Sequence, residues 1–94
     1  MIEENKILEI EQRICEYFGV SIEEVLGRGR KSAVILARHF IIYILHCDYN
    51  VCRRFLMQRY NRKLRVIPYI CANLRFLIHN DKRYKSYYEE IKQD

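Results

Sequence analysis

The sequence predicts an all-α domain of five to six helices around a long buried central helix, with a helix-turn-helix in its second half. Three observations predict it. Gly (3) and Pro (1) are scarce among 94 residues, whereas an all-β chain needs a turn signal every ~8–12 residues. Apolar residues recur at i, i+3, i+4 spacing along most of the chain. The apolar stretch SAVILARHFIIYILHC contains neither Gly nor Pro and far exceeds the ~5–6 residues of an average strand. The length fits one domain spanning 1–94. Half of the residues are hydrophobic, which excludes a disordered or low-complexity chain.

Each element has its own signal. Residues 3–18 carry Ile7, Ile10, Ile14, Tyr17 and Phe18 at helical spacing, with Glu and Gln on the other face and Gly19 placed to end the helix in the left-handed conformation. Ser21 and Glu24 form a capping-box pattern that starts a short helix from Ile22 to Leu26, stopped by Gly27. GRGRK (27–31) reads as a flexible basic loop. The central helix follows, apolar on nearly every face. Asp48 and Asn50 are N-cap candidates for a helix over 51–60 with Cys52, Phe55, Leu56 and Tyr60 inward. Asn61 suits the tight turn Tyr60–Lys63, because Asn tolerates the left-handed region. From about Leu64 the stripe Ile67, Ile70, Cys71, Leu74, Ile78 marks another helix, and HNDKRY opens a last one with Tyr84, Tyr87, Tyr88 and Ile91 on one side. At helical spacing these tyrosines read as core rather than as a base-stacking surface. Pro68 either lies in the first turn of its helix, which then starts near Arg65, or kinks it.

The net charge of +5 is unevenly spread. Residues 1–27 sum to −5, residues 28–75 to +10 and residues 76–94 to zero. Such segregation points to a polyanionic partner, nucleic acid first. Two short helices joined by a tight turn after a long buried helix make the skeleton of a helix-turn-helix, whose second helix enters the major groove by its N-terminal end. That end is flanked by Asn61, Arg62, Lys63, Arg65 and Tyr69, the expected base-reading set, while Asn73 lies too deep. Arg53, Arg54 and Arg59 on the first helix, and Arg28, Arg30 and Lys31 in the basic loop, are expected to meet phosphates, releasing condensed counterions. Arg38, inside the apolar helix, is expected to be structural and to pair with a carboxylate of the acidic N-terminal segment.

Other chemistries find little support. Cys47 and Cys52 are spaced C-x4-C next to His46, with Cys71 and His79 downstream, but the C-x2-C knuckles of a zinc site are missing. Cys15, Cys52 and Cys71 fall at apolar helical positions and read as free thiols packed as small hydrophobes. No histidine lies beside a plausible nucleophile. The expectation is therefore a protein that is not an enzyme, with no cofactor, no metal and no small-molecule substrate. The N-terminus is acidic where a secretion signal would be basic. The longest apolar run is interrupted by Arg38 and His39, short of a membrane span. A cytoplasmic location follows as an expectation, with no membrane partner.

The segment VSIEEVLGRGRKSAVILARHFIIYIL resembles the C-terminal DNA-binding domain of DnaA, the bacterial chromosomal replication initiator. It matches that family's short acidic helix, basic loop and long helix with an Arg and, five residues on, a Tyr, here Arg38 and Tyr43. Tyr88 and Ile91 resemble the family's closing helix, so the likeness covers about residues 14–91. The resemblance implies a Trp-repressor-like helical fold, binding of double-stranded DNA, a role in replication or transcription control, and a bacterial or phage origin. It implies phosphate contacts from Arg28, Arg30, Lys31 and Arg62. The family's box-reading motif GGRDHTTV aligns with YNRKLRVI, where only Arg62 matches a polar member, so reading of the same DNA box is not implied. No GxxxxGK[ST] is present, so an initiator ATPase is not implied and the chain resembles a stand-alone relative. The altered motif and Pro68 leave an alternative, a protein–protein interaction module that kept the fold and lost base reading. The acidic N-terminal helix is expected to pack on the basic body, or else to dock a partner protein or a second copy.

Overall fold

A computed structural model describes residues 2–92. Six α-helices follow in order: α1 (Glu4–Phe18), α2 (Ile22–Leu26), α3 (Ser32–Tyr43), α4 (Arg53–Tyr60), α5 (Val66–Asn80) and α6 (Lys82–Lys92). No strand occurs among the described residues. The α-helical part of α3 passes directly into a π-helical turn over Ile44–Asp48. The predicted central helix thus exists but widens over its last five residues, as π-turns do when they are inserted at a helix end.

The local signals act where the sequence places them. Gly19 adopts φ 69° and ψ 35°. Its N–H bonds to Glu16 O at 3.2 Å and that of Val20 to Cys15 O at 2.9 Å, the two bonds of a Schellman close. Ser21 and Glu24 form the full capping box. Asn61 takes the left-handed turn at φ 54°. Pro68 lies in the first turn of α5, where its missing N–H leaves no interior bond unmade, so α5 begins at Val66 and runs to Asn80. Asp81 alone separates α5 from α6 and caps the latter through Arg83 N–H at 2.9 Å.

Helix α3 is the centre. Val34, Ala37, Phe40, Ile41 and Ile42 are fully enclosed, and α3 packs against α1, α2 and α5. The stripes of α1 (Ile7, Ile10, Ile14) and α5 (Ile67, Ile70, Cys71, Leu74, Ile78) are buried as expected. Phe18, Phe40, Tyr84 and Tyr87 form an edge-and-stack aromatic cluster that holds α6 to α1 and α3, with centroids 5.5–6.2 Å apart. The Tyr17 hydroxyl donates to Glu90 at 2.6 Å at the same junction.

Three expectations need correction. Neither Asp48 nor Asn50 caps α4. Cys52 occupies the N-cap without a side-chain hydrogen bond. Asn50 spends its tolerance of positive φ on the turn before α4, and Asp48 accepts the Tyr88 hydroxyl at 2.9 Å and sits 3.4 Å from Lys92 Nζ. Cys52 is consequently exposed rather than core. Arg38 is buried but has no carboxylate: it donates to the carbonyls of Val25 (2.8 Å), Glu24 (3.2 Å), Gly27 (3.3 Å) and Gly29 (3.3 Å). The last carbonyls of α2 lack helical partners, and a guanidinium satisfies several at once.

Candidate nucleic-acid interface

Two segments far apart in sequence are brought to one place by α3. The loop 27–31 is held down from below by Arg38, which binds the Gly27 and Gly29 carbonyls. Gly29 permits a close approach: a Cβ there would meet Val34 Cγ1 at 3.0 Å and the Glu24 carbonyl at 3.2 Å, so that any side chain would push its neighbours outward. The loop therefore lies against the start of α3 with Arg28 and Arg30 exposed. Opposite it stands the turn between α4 and α5. Asn61 reverses the chain, and the Arg62 guanidinium donates back to the carbonyls of Asn61 (2.9 Å) and Tyr60 (3.2 Å), stiffening the turn.

Between loop and turn lies an open cleft of about 700 Å³. Arg28 and Arg30 line it on the loop side, Asn61, Arg62, Lys63 and Arg65 on the turn side, and His39 of α3 is part of its wall. No carboxylate of the described residues forms an ion pair with Arg28, Arg30, Lys63 or Arg65. The concentration of like charge shows in its neighbours. Burial, together with the Arg62 charge, holds the Arg38 guanidinium below its ordinary range. Burial, then the Arg38 and Arg62 charges, hold the His39 imidazole below its ordinary range.

The predicted site residues divide accordingly. Arg28, Arg30, Asn61, Arg62, Lys63 and Arg65 share the cleft. Lys31, the last residue of the loop, is exposed at the N-cap of α3 and outside the cleft lining, and its charge acts on Glu24. Tyr69 projects from α5 with 74% of its surface exposed, outside the cleft. Arg53 and Arg54 are exposed on the first turn of α4, also outside it. Arg59, expected on phosphates, is engaged elsewhere: its guanidinium makes two hydrogen bonds to Glu11, at 2.6 and 2.7 Å, and Tyr60 donates to the same carboxylate. This pair joins α1 to α4 and is the carboxylate–arginine contact that the sequence assigned to Arg38. Sequence reasoning missed Glu11 and His39. Glu11 sits within the apolar stripe, between Ile7 and Ile14, which is the signal that could have exposed it.

Over 50 residues, 53% of its length, the chain is 30% identical to the chromosomal replication initiator protein DnaA of Acholeplasma laidlawii. The chain is DnaA-like over that stretch. The same protein from Acholeplasma laidlawii strain PG-8A matches with the same identity and coverage. The chain spans 11% of the length of these relatives. No protein-family model matches the chain. No helix among the described residues is long and apolar enough to cross a membrane.

Proposed function

We propose that the chain binds double-stranded DNA without chemistry, using α4, the Asn61 turn and α5 as a helix-turn-helix and the loop 27–31 as a second clamp on the phosphates. The observation that carries this reading is the cleft itself: cations 30 or more residues apart in sequence line one open surface, and no carboxylate of the described residues neutralises Arg28, Arg30, Lys63 or Arg65. The likeness to a replication initiator supports a DNA-related role, and replication or transcription control in the bacterial cytoplasm is the setting that fits it.

In this reading Arg28, Arg30 and Arg62 meet backbone phosphates, joined by Lys31 at the loop's edge. Lys63 and Arg65 approach the groove with the start of α5, and Asn61 shapes the turn that presents them. Tyr69, exposed one turn into α5, faces base edges or a thymine methyl. Arg53 and Arg54 touch a neighbouring phosphate at most. The experiment is duplex affinity measured at 50 and 200 mM salt. Four phosphate contacts predict a loss of ~10²-fold, whereas binding to a protein partner through apolar contacts changes far less.

A further inference from the structure

Five large hydrophobic side chains are exposed among the described residues, and the two most exposed, Tyr69 at 74% and Phe76 at 64%, both stand on α5. They are seven residues apart, so they leave the same face of the helix about 10 Å from each other along its axis. Ala72 and Asn73 lie exposed between them, and neither is large enough to screen the rings. Every other tyrosine has a partner: Tyr17, Tyr60 and Tyr88 bond to carboxylates, Tyr43, Tyr84 and Tyr87 meet other rings, and Tyr49 lies under Lys6. Tyr69 has neither a ring nor a hydroxyl partner among the described residues. We propose that this face of α5 is a stacking platform for single-stranded DNA, with one base on Tyr69, another on Phe76 and the strand's phosphates on Lys63 and Arg65.

The charge around the rings selects the occupant. Helix α5 contains no carboxylate. From Lys63 to Lys85 the cations are Lys63, Arg65, Arg75, Lys82, Arg83 and Lys85, against Asp81, which Arg83 already contacts at 3.4 Å. Arg65 stands one turn before Tyr69 and lines the cleft, so the rings continue a cationic surface. Aromatic rings beside cations offer a strand π-faces for its bases and counter-charge for its phosphates, whatever the base sequence. A second copy of the chain fits less well. Two aromatic side chains bury about 150–250 Å² each, short of the ~800 Å² that each partner gives a stable interface. A duplex does not reach both rings. Phe76 lies ten residues after Val66, about 15 Å along the axis, whereas a helix entering by its N-terminal end has only ~8.5 Å of groove depth. Bases freed from pairing can turn their faces to both. The platform rests on the duplex-binding reading only in the choice of DNA over RNA.

The test is fluorescence anisotropy of a labelled oligothymidylate of ~12 nucleotides titrated with the full chain. Phe76→Leu keeps the apolar bulk but loses the π-face, and should weaken binding about tenfold, with Phe76→Tyr restoring it. Tyr69→Leu should cost about the same. A strand carrying iododeoxyuridine, irradiated in the complex, should cross-link to Tyr69 or Phe76. Duplex titrations in parallel separate the two readings, because Phe76→Leu should leave duplex affinity within about twofold of the parent. Single-strand binding that depends on Phe76, without any duplex binding, counts against the duplex reading alone. Duplex binding without single-strand binding overturns the platform alone. The platform is also overturned if both leucine variants bind the oligothymidylate like the parent, or if an oligouridylate of the same length binds tighter. It is equally overturned if Phe76→Leu lowers the mass of the free protein in sedimentation, which would seat a second copy on this face.

Discussion

Arg38 and Arg59 are arginines of the same basic stretch as Arg30 and Lys63, yet the two pairs live in different environments. Arg38 is 2% exposed and spends its donors on four backbone carbonyls. Arg59 is locked to a carboxylate that is 1% exposed. Arg30 and Lys63 stand open on a cleft without a partner carboxylate among the described residues. Of the eleven cations in residues 28–75, Arg38 and Arg59 therefore build the scaffold, and Arg62 serves both uses, bracing its turn through the Tyr60 and Asn61 carbonyls while lining the cleft. A count of charge overstates the interface, and what distinguishes the two uses is whether the protein itself supplies the acceptor.

The comparison can be broken most forcefully at Arg38. Arg38→Met keeps the volume but leaves four inward-facing carbonyls without their donor, and should cost ~3–5 kcal/mol in urea unfolding. A cost below 1 kcal/mol would mean that the loop and α2 do not depend on it. Glu11→Gln, which strands Arg59 at a partly exposed site, should cost less, about 2–3 kcal/mol. The double-mutant cycle with Arg59→Ala should return most of that as coupling.

The open cations behave in the opposite way. Arg30→Ala should leave the unfolding free energy within ~0.5 kcal/mol of the parent. It should weaken duplex binding about tenfold and lower the salt slope by about 1.

His39 reports on both environments at once. Its folded-state pKa is depressed, mainly by burial and then by Arg38 and Arg62. Below pH 6.5 the unfolded chain takes up a proton that the folded chain refuses, so stability should fall as the pH drops from 6.5 toward the folded value and level off beneath it. His39→Gln should flatten that dependence. A duplex in the cleft neutralises the nearby cations and should raise the His39 pKa, which an NMR titration reads directly. Among the contacts that build the scaffold, the smallest loss is expected at the capping box, where Ser21→Ala should cost ~1 kcal/mol.

Much of the fold was legible because its signals are local. Gly19, the Ser21–Glu24 box, Asn61 and the α5 stripe each act through neighbours within a turn or two, and the structure uses each as the spacing implies. Pro68 was ambiguous in sequence because its effect depends on where α5 starts. That start is set by the turn at Lys63–Arg65, where Val66 N–H bonds to Lys63 O. The partners of buried charges were not legible. Arg38 found carbonyls and Arg59 found Glu11, across 48 residues of sequence, and only tertiary packing decides such pairings. The clustering of Arg28 and Arg30 with Arg62, Lys63 and Arg65 was expected from motif order, and the separation of Arg53, Arg54 and Tyr69 from them was not.

The sharpest test of the cleft as the DNA-contacting surface sets two double variants side by side in duplex titrations at 50 mM salt. Arg30→Ala with Lys63→Ala should lose ~10²-fold in affinity, and Arg53→Ala with Arg54→Ala no more than about threefold, with both proteins as stable as the parent. Equal losses, or the larger loss for the α4 pair, would contradict the account.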